Sequence, residues 1–141
     1  MESDKVVIIV QNSSGKLFVH QRSADKETFP LPYGLGAGGH VESGEKPIQA
    51  AKRELKEELG IGPEPESLFS IRFESNEFKH IVHVFKALYN GGVDSSEEFK
   101  WGRWMNIEEI DRLVDDNKLC PDTKILYEKW KNEYLYGNNN F

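Results

Sequence analysis

Residues Pro47–Leu59 (PIQAAKRELKEEL) constrain this chain more than any other stretch. Ile48, Ala51, Leu55 and Leu59 recur at helical spacing, which predicts an amphipathic helix lying on a core. Pro47 suits the first turn, where a missing N–H costs nothing, and Gly60 supplies the stop. Glu54, Glu57 and Glu58 stand at i, i+3 and i+4, on an arc roughly 100° around from the apolar stripe. Glu54 and Glu58 form a like-charge pair that costs a few tenths of a kcal/mol, roughly, in an isolated helix. All three acids lie toward the end of the helix, where its dipole prefers cations. A local penalty of this kind is expected at functional sites. Three carboxylates on adjacent turns also make a ready set for a hard divalent cation, which takes oxygen ligands. A solvated, Glu-rich face is the plainer reading of the same pattern, and the surrounding residues decide between them.

The rest of the chain reads as a mixture of strands and helices. Lys5–Val10 is a β-branched run and Lys16–Arg22 returns after a turn at 12–15, so residues 5–22 predict a hairpin. Residues 23–39 hold Pro30, Pro32, Gly34, Gly36, Gly38 and Gly39, a composition expected of an irregular loop. Further strands are expected at Leu68–Glu74, Phe78–Tyr89 and Lys100–Asn106. Helices are expected at Ile107–Asp115 and from Pro121 to about Tyr136. A helix follows each of two strand regions, which suggests a sheet covered by helices on both faces. The reading is one domain over residues 1–136, with 137–141 as a frayed tail.

Composition narrows the function. The 141 residues carry 18 Lys and Arg against 24 Asp and Glu, a net charge of −6. Duplex nucleic acid and anionic membranes call for a basic surface, so neither is expected as a partner. An anionic small molecule is not excluded, because a bound metal reverses the field inside a cleft. The one cysteine, Cys120, rules out an internal disulfide and argues against a cysteine-built zinc site. The apolar run near the start is too short for a signal peptide or a membrane span, so a cytoplasmic location is expected.

Residues 39–61 read GHVESGEKPIQAAKRELKEELGI, and this matches the Nudix box at every position: Gly39, Glu45, Arg53, Glu54, Leu55, Glu57, Glu58, Gly60 and Ile61. A chance match at a given start is on the order of one in a billion from average residue frequencies. The chain therefore resembles the Nudix hydrolases, and the order of its elements follows theirs. The resemblance implies an α/β fold, an α/β/α sandwich with a mixed central sheet. It also implies hydrolysis of the diphosphate linkage of a nucleoside diphosphate derivative or related small molecule, with Mg²⁺ or Mn²⁺. By the same resemblance Glu54, Glu57 and Glu58 hold the metal, with Glu54 either ligating or acting as the base, and Gly38 offers a backbone carbonyl. Arg53 orients carboxylates and Glu45 braces the loop–helix junction. Glu98, with Glu97 as the near alternative, completes the metal site.

The stretch from Leu17 to Glu45 is similar to the branch related to isopentenyl diphosphate isomerases, which implies that Arg22 and Lys26 meet the diphosphate. The isomerase reaction itself is disfavoured. Those enzymes use a cysteine in the loop before the box helix, and here that loop is GLGAGGHV, with no thiol. His40 within it reads as a loop residue that packs or hydrogen-bonds, and His20 reads as structural. His80 and His83, three apart in a strand, face opposite ways and cannot share a metal. A nucleotide-binding domain without turnover is the second class of reading, and the unbroken acidic set argues against it. The substrate and the oligomeric state stay open, a homodimer included.

Overall fold

The computed structural model describes residues 2–22, 32–74, 79–93 and 99–136. The central strand, β1 (Glu2–Gln11), carries the KVVIIV run. Val6, Ile8 and Val10 go to one core and Ile9 to the other, so the run is apolar throughout because both faces are covered. β2 (Leu17–Arg22) follows a turn in which the Asn12 side chain accepts from the Ser14 and Lys16 amides.

The expected hairpin is much shorter than its sequence suggests. The two strands pair only at Gln11↔Leu17 and then splay. The segment expected as irregular fills the gap with β3 (Tyr33–Leu35) and β4 (Ala37–His40). β3 pairs with β2, and β4 pairs with β1 from Lys5↔His40 to Ile8↔Ala37. The inner edges of the splayed strands would otherwise leave backbone donors and acceptors unsatisfied, a cost that the two short strands remove. Gly36 makes the crossing between them at φ 54°, its amide donating to the Phe18 carbonyl at 2.8 Å. A Cβ there would lie 1.8 Å from the Ile8 carbonyl oxygen. Glycine at this position thus permits strand pairing in a segment where glycine content had argued for a loop.

The box segment begins as an α-helix, α1 (Pro47–Glu54), and continues as a π-helical turn over Leu55–Leu59. Gly60 closes it in the left-handed conformation at φ 67°. Beyond it lie β5 (Glu66–Glu74), β6 (Lys79–Leu88), β7 (Phe99–Met105) and α2 (Ile107–Asp115). At the start of α2, the Asn106 side chain accepts from the Glu109 amide at 2.8 Å, and Glu109 returns the contact to the Asn106 amide. The final helix, expected to run unbroken to Tyr136, is α3 (Pro121–Trp130) followed by a π-helical turn over Lys131–Tyr136.

Among the described residues the strands form one seven-stranded sheet. Its main order is β3-β2-β1-β6-β5, with β4 beside β1 and β7 beside β2. β1 and β6 run parallel from Glu2↔Lys79 to Gln11↔Leu88, whereas β2, β4, β5 and β7 pair antiparallel, so the sheet is mixed. Ala50, Ala51, Leu55 and Leu59 pack on one face against Val6, Ile8, Phe85 and Ala87. Ile110, Leu126, Tyr127 and Trp130 pack on the other against Ile9, Val82 and Val84. The result is an α/β/α sandwich.

Gly36→Ala is expected to cost about 2–4 kcal/mol, since it combines a positive φ with a backbone clash. Gly44 also has positive φ, but a Cβ there meets nothing within 4 Å, so Gly44→Ala should cost only about 1 kcal/mol. Urea titrations of the two variants check the difference, and equal losses would contradict the role given to Gly36.

Candidate functional site

Arg53 stands at the centre of the box. Its guanidinium takes Glu45 in a two-pronged grip, Nε to Oε2 at 2.8 Å and Nη2 to Oε1 at 3.0 Å. Nη2 also donates to the His40 carbonyl at 3.1 Å, which ties the end of β4 to α1. Nη1 donates to Glu54 and, at 3.4 Å, to Glu57. A planar fork with five donors can hold this many acceptors at once, and a lysine cannot. The Arg53 hydrogen bonds, assisted by the Glu42 amide, hold the Glu45 carboxyl down at about 2, and Glu45 in turn raises the affinity of Arg53 for its proton.

Glu54 is the one buried acid among the described residues. Its carboxylate lies so close to the Gly39 backbone that a Cβ on Gly39 would sit 2.7–2.9 Å from it. The box glycine is therefore the space in which the box glutamate sits. Glu58 reaches β4 from the next turn, its Oε1 accepting from the Gly38 amide at 2.8 Å. The π-helical turn explains the pairing of these two acids. Drawing the hydrogen bonds toward i→i+5 lowers the rotation per residue, which brings Glu58 over Glu54 and turns Glu57 outward. Glu57 is 59% exposed at its side chain, against 12% for Glu54. The three glutamates thus do not share one arc as a regular helix would have them do.

Glu54 and Glu58 line a cavity of about 420 Å³ together with Gly38, Gly39 and His40 of β4. Its other walls are Lys5 and Val7 of β1, His20, and Cys120, Asp122 and Thr123 at the start of α3. That distant segment is brought in by a bridge between Tyr33 and Leu119. The Tyr33 amide donates to the Lys118 carbonyl at 2.9 Å, and the Cys120 amide donates to the Tyr33 carbonyl at 3.0 Å. His20, read from sequence as structural, is also a cavity wall, and a ring nitrogen contacts the Gly36 carbonyl at 2.9 Å. Burial, then the charges of Lys5 and His80, push the His40 imidazole below its ordinary pKa.

Of the other residues singled out, Arg22 ends β2 opposite Phe99, at a bulge. The Arg22 side chain, Lys26, Glu97, Glu98 and the tail 137–141 lie outside the described residues. His80 meets Ser3 at 2.8 Å, whereas His83 lies between Ser70 at 3.0 Å and Asp4 at 3.3 Å. Lys5, Cys120, Asp122 and Thr123 were not expected at the site. Only Lys5 left a signal, a charge at the head of an otherwise apolar strand run.

Residues 1–126 match the family model for the NUDIX domain. An uncharacterized Nudix hydrolase of Streptomyces coelicolor is 31% identical over 128 residues, covering 88% of this chain and 71% of the relative. The 8-oxo-dGTP diphosphatase of Escherichia coli is 35% identical over 106 residues, covering 70% of this chain and 76% of the relative. Among solved structures, a MutT protein from Methanosarcina mazei superposes with a TM-score of 0.80 at 25% identity, covering 94% of each chain. The chain belongs to the Nudix family and is a Nudix hydrolase.

Nudix hydrolases use divalent metal ions, and the donors on this cavity suit one. Glu54 and Glu58 are hard oxygen ligands beside a backbone stripped of side chains at Gly38 and Gly39. Among the described residues no three acid, histidine or cysteine side chains already converge as a metal site.

The Glu45–Arg53 bridge carries a pH signature. A carboxyl lowered on folding stabilises the fold above its unfolded pKa, near 4.5, and loses that contribution as the pH falls through about 2. Glu45→Gln should therefore flatten the fall in stability between pH 5 and pH 2. Urea midpoints across that range measure it. An unchanged slope would detach Glu45 from acid stability.

Proposed function

We propose that this chain is a Mg²⁺-dependent hydrolase that cleaves the diphosphate linkage of a nucleoside diphosphate derivative or a related small molecule. We assign residues 1–136 to the catalytic domain and the cytoplasm as its setting. The observation that carries the reading is the cavity on which Glu54 and Glu58 sit side by side, against open glycine backbone and under the control of Arg53. Nucleotide chemistry is supported by the Escherichia coli relative, whose name gives 8-oxo-dGTP as its substrate.

Each residue has a distinct task in this reading. Glu54 and Glu58 hold the cation, joined by Glu57 and by the Gly38 carbonyl, with Glu98 or Glu97 as a further ligand. Mn²⁺ is the natural substitute for Mg²⁺ at such an oxygen site. When bound, the cation neutralises the diphosphate and acidifies the attacking water. Arg53 keeps Glu54 in one position, and the Gly39 contact allows it little room to swing. Glu57, widely exposed and with a long 3.4 Å contact to Arg53, is better placed than Glu54 to take the water proton when it is not itself bound to the cation. Glu45 secures Arg53. Gly60 ends the turn that carries Glu57 and Glu58. Arg22 and Lys26 grip the diphosphate from the β2 end. The water oxygen bonds to phosphorus as the bridging P–O bond breaks, and the leaving phosphate takes the electron pair.

The test is a substrate panel with and without Mg²⁺: nucleoside di- and triphosphates, nucleotide sugars, dinucleoside polyphosphates, NADH, coenzyme A and isopentenyl diphosphate. Metal-dependent release of phosphate or nucleotide is expected, with Glu57→Gln and Glu58→Gln each lowering kcat by about 10²-fold or more at unchanged fold. Full activity in either variant would reject its assignment. Arg22→Ala should raise KM several-fold with a smaller effect on kcat, and steady-state kinetics on the best substrate would show it. An unaltered KM would remove Arg22 from the substrate.

A further inference from the structure

The cavity holds a charge that its own walls leave unanswered. Lys5 is the only lysine or arginine among the described residues that line it, whereas Glu54, Glu58 and Asp122 are all acids. Yet Lys5 forms no ion pair with any of them, or with any other described residue. The acids are committed elsewhere, Glu54 to Arg53 and Glu58 to the Gly38 amide. Lys5 is partly exposed on the cavity wall, so its charge is open to an anion arriving from outside.

The position of Lys5 on β1 is equally unusual. By strand alternation it shares a face with Val7 and Ile9, both of which pack toward the core under α2 and α3. An apolar residue would continue that face. The backbone is also fixed there, since Lys5 lies opposite Val82 of β6 on one side and His40 of β4 on the other. A strand paired along both edges fixes the point from which the Lys5 side chain departs, so the ammonium is confined to the reach of that side chain from the cavity wall.

We propose that Lys5 is a substrate-binding residue that takes the phosphate oxygens left outside the carboxylate-held cation. The inference rests on the hydrolase reading above and deepens it. Arg22 and Lys26 act from the end of β2, whereas Lys5 acts from the cavity wall, between the box carboxylates and the start of α3. Its charge keeps an anionic chain from being repelled by Asp122 on one side and the box acids on the other. A phosphate chain, which carries a charge on each phosphoryl group, is the ligand class that uses it.

The test is calorimetric binding of imidodiphosphate, a non-hydrolysable diphosphate, in the presence of Mg²⁺. Wild type is compared with Lys5→Met and Lys5→Gln, which remove the charge, and with Lys5→Arg, which keeps it. Both neutral variants should bind about tenfold more weakly and Lys5→Arg within about threefold of wild type. The neutral variants should also lose part of the salt dependence of binding. Circular dichroism melts identify any variant that fails to fold, and either neutral variant suffices. Neutral variants that bind as wild type does, while wild type hydrolyses the panel, would overturn Lys5 alone. Equal weakening in Lys5→Arg would also overturn it, since charge would not be the cause. A wild type that neither binds imidodiphosphate nor hydrolyses any panel member would remove the hydrolase reading, and Lys5 with it.

Discussion

The guanidinium of Arg53 ties together three parts of the box at one point. It joins Glu45, before α1, to the His40 carbonyl at the end of β4 and to Glu54 on its own helix. Each contact is charge-assisted or made to a backbone oxygen, and all are made by one rigid plane. The carboxylates of the box therefore sit in an order set by a cation that belongs to the fold. Without it, acids on adjacent turns would repel one another and the helix would have little cause to keep them facing the sheet.

Two departures from regular geometry turn this anchored helix into a site. The early separation of β1 from β2 opens a gap in the sheet, and β4 enters it with glycines facing the box. The π-helical turn then sets Glu58 above Glu54, so that both carboxylates meet β4, one against the Gly39 backbone and one on the Gly38 amide. Irregular turns of this kind are frequent at functional sites because they re-aim side chains that a regular helix would spread apart. The remaining cavity wall comes from the far end of the sequence, carried to β3 by the Tyr33–Leu119 bridge.

These contacts also bear on stability and chemistry together. The contacts that enclose Glu54 leave Glu57 exposed, with a single 3.4 Å contact to Arg53, so neighbouring acids of one motif stand in different surroundings. A ligand benefits from being fixed, because its position is set before the ion arrives. A proton acceptor benefits from access to water. In the proposed reading one helical turn supplies both kinds of group, because it lies at the boundary between core and cavity.

The box residues, the amphipathic helix they ride on and the boundaries of α2 were legible in the sequence alone. Each depends on local spacing, and local spacing is what a sequence displays directly: apolar recurrence at Ala51, Leu55 and Leu59, and the Gly60 stop. The tertiary structure decided the rest. Residues 33–40 looked irregular because glycine weakens a strand in isolation, and they pair only because two splayed edges offer backbone partners. The π-helical turn left no mark in the periodicity, because the apolar positions Leu55 and Leu59 fit either kind of turn. Lys5, Cys120, Asp122 and Thr123 reach the cavity through strand pairing and a long-range bridge. A motif written along one helix names the chemistry, but the walls of the cavity beside it come from segments a hundred residues apart, roughly, and only folding brings them face to face.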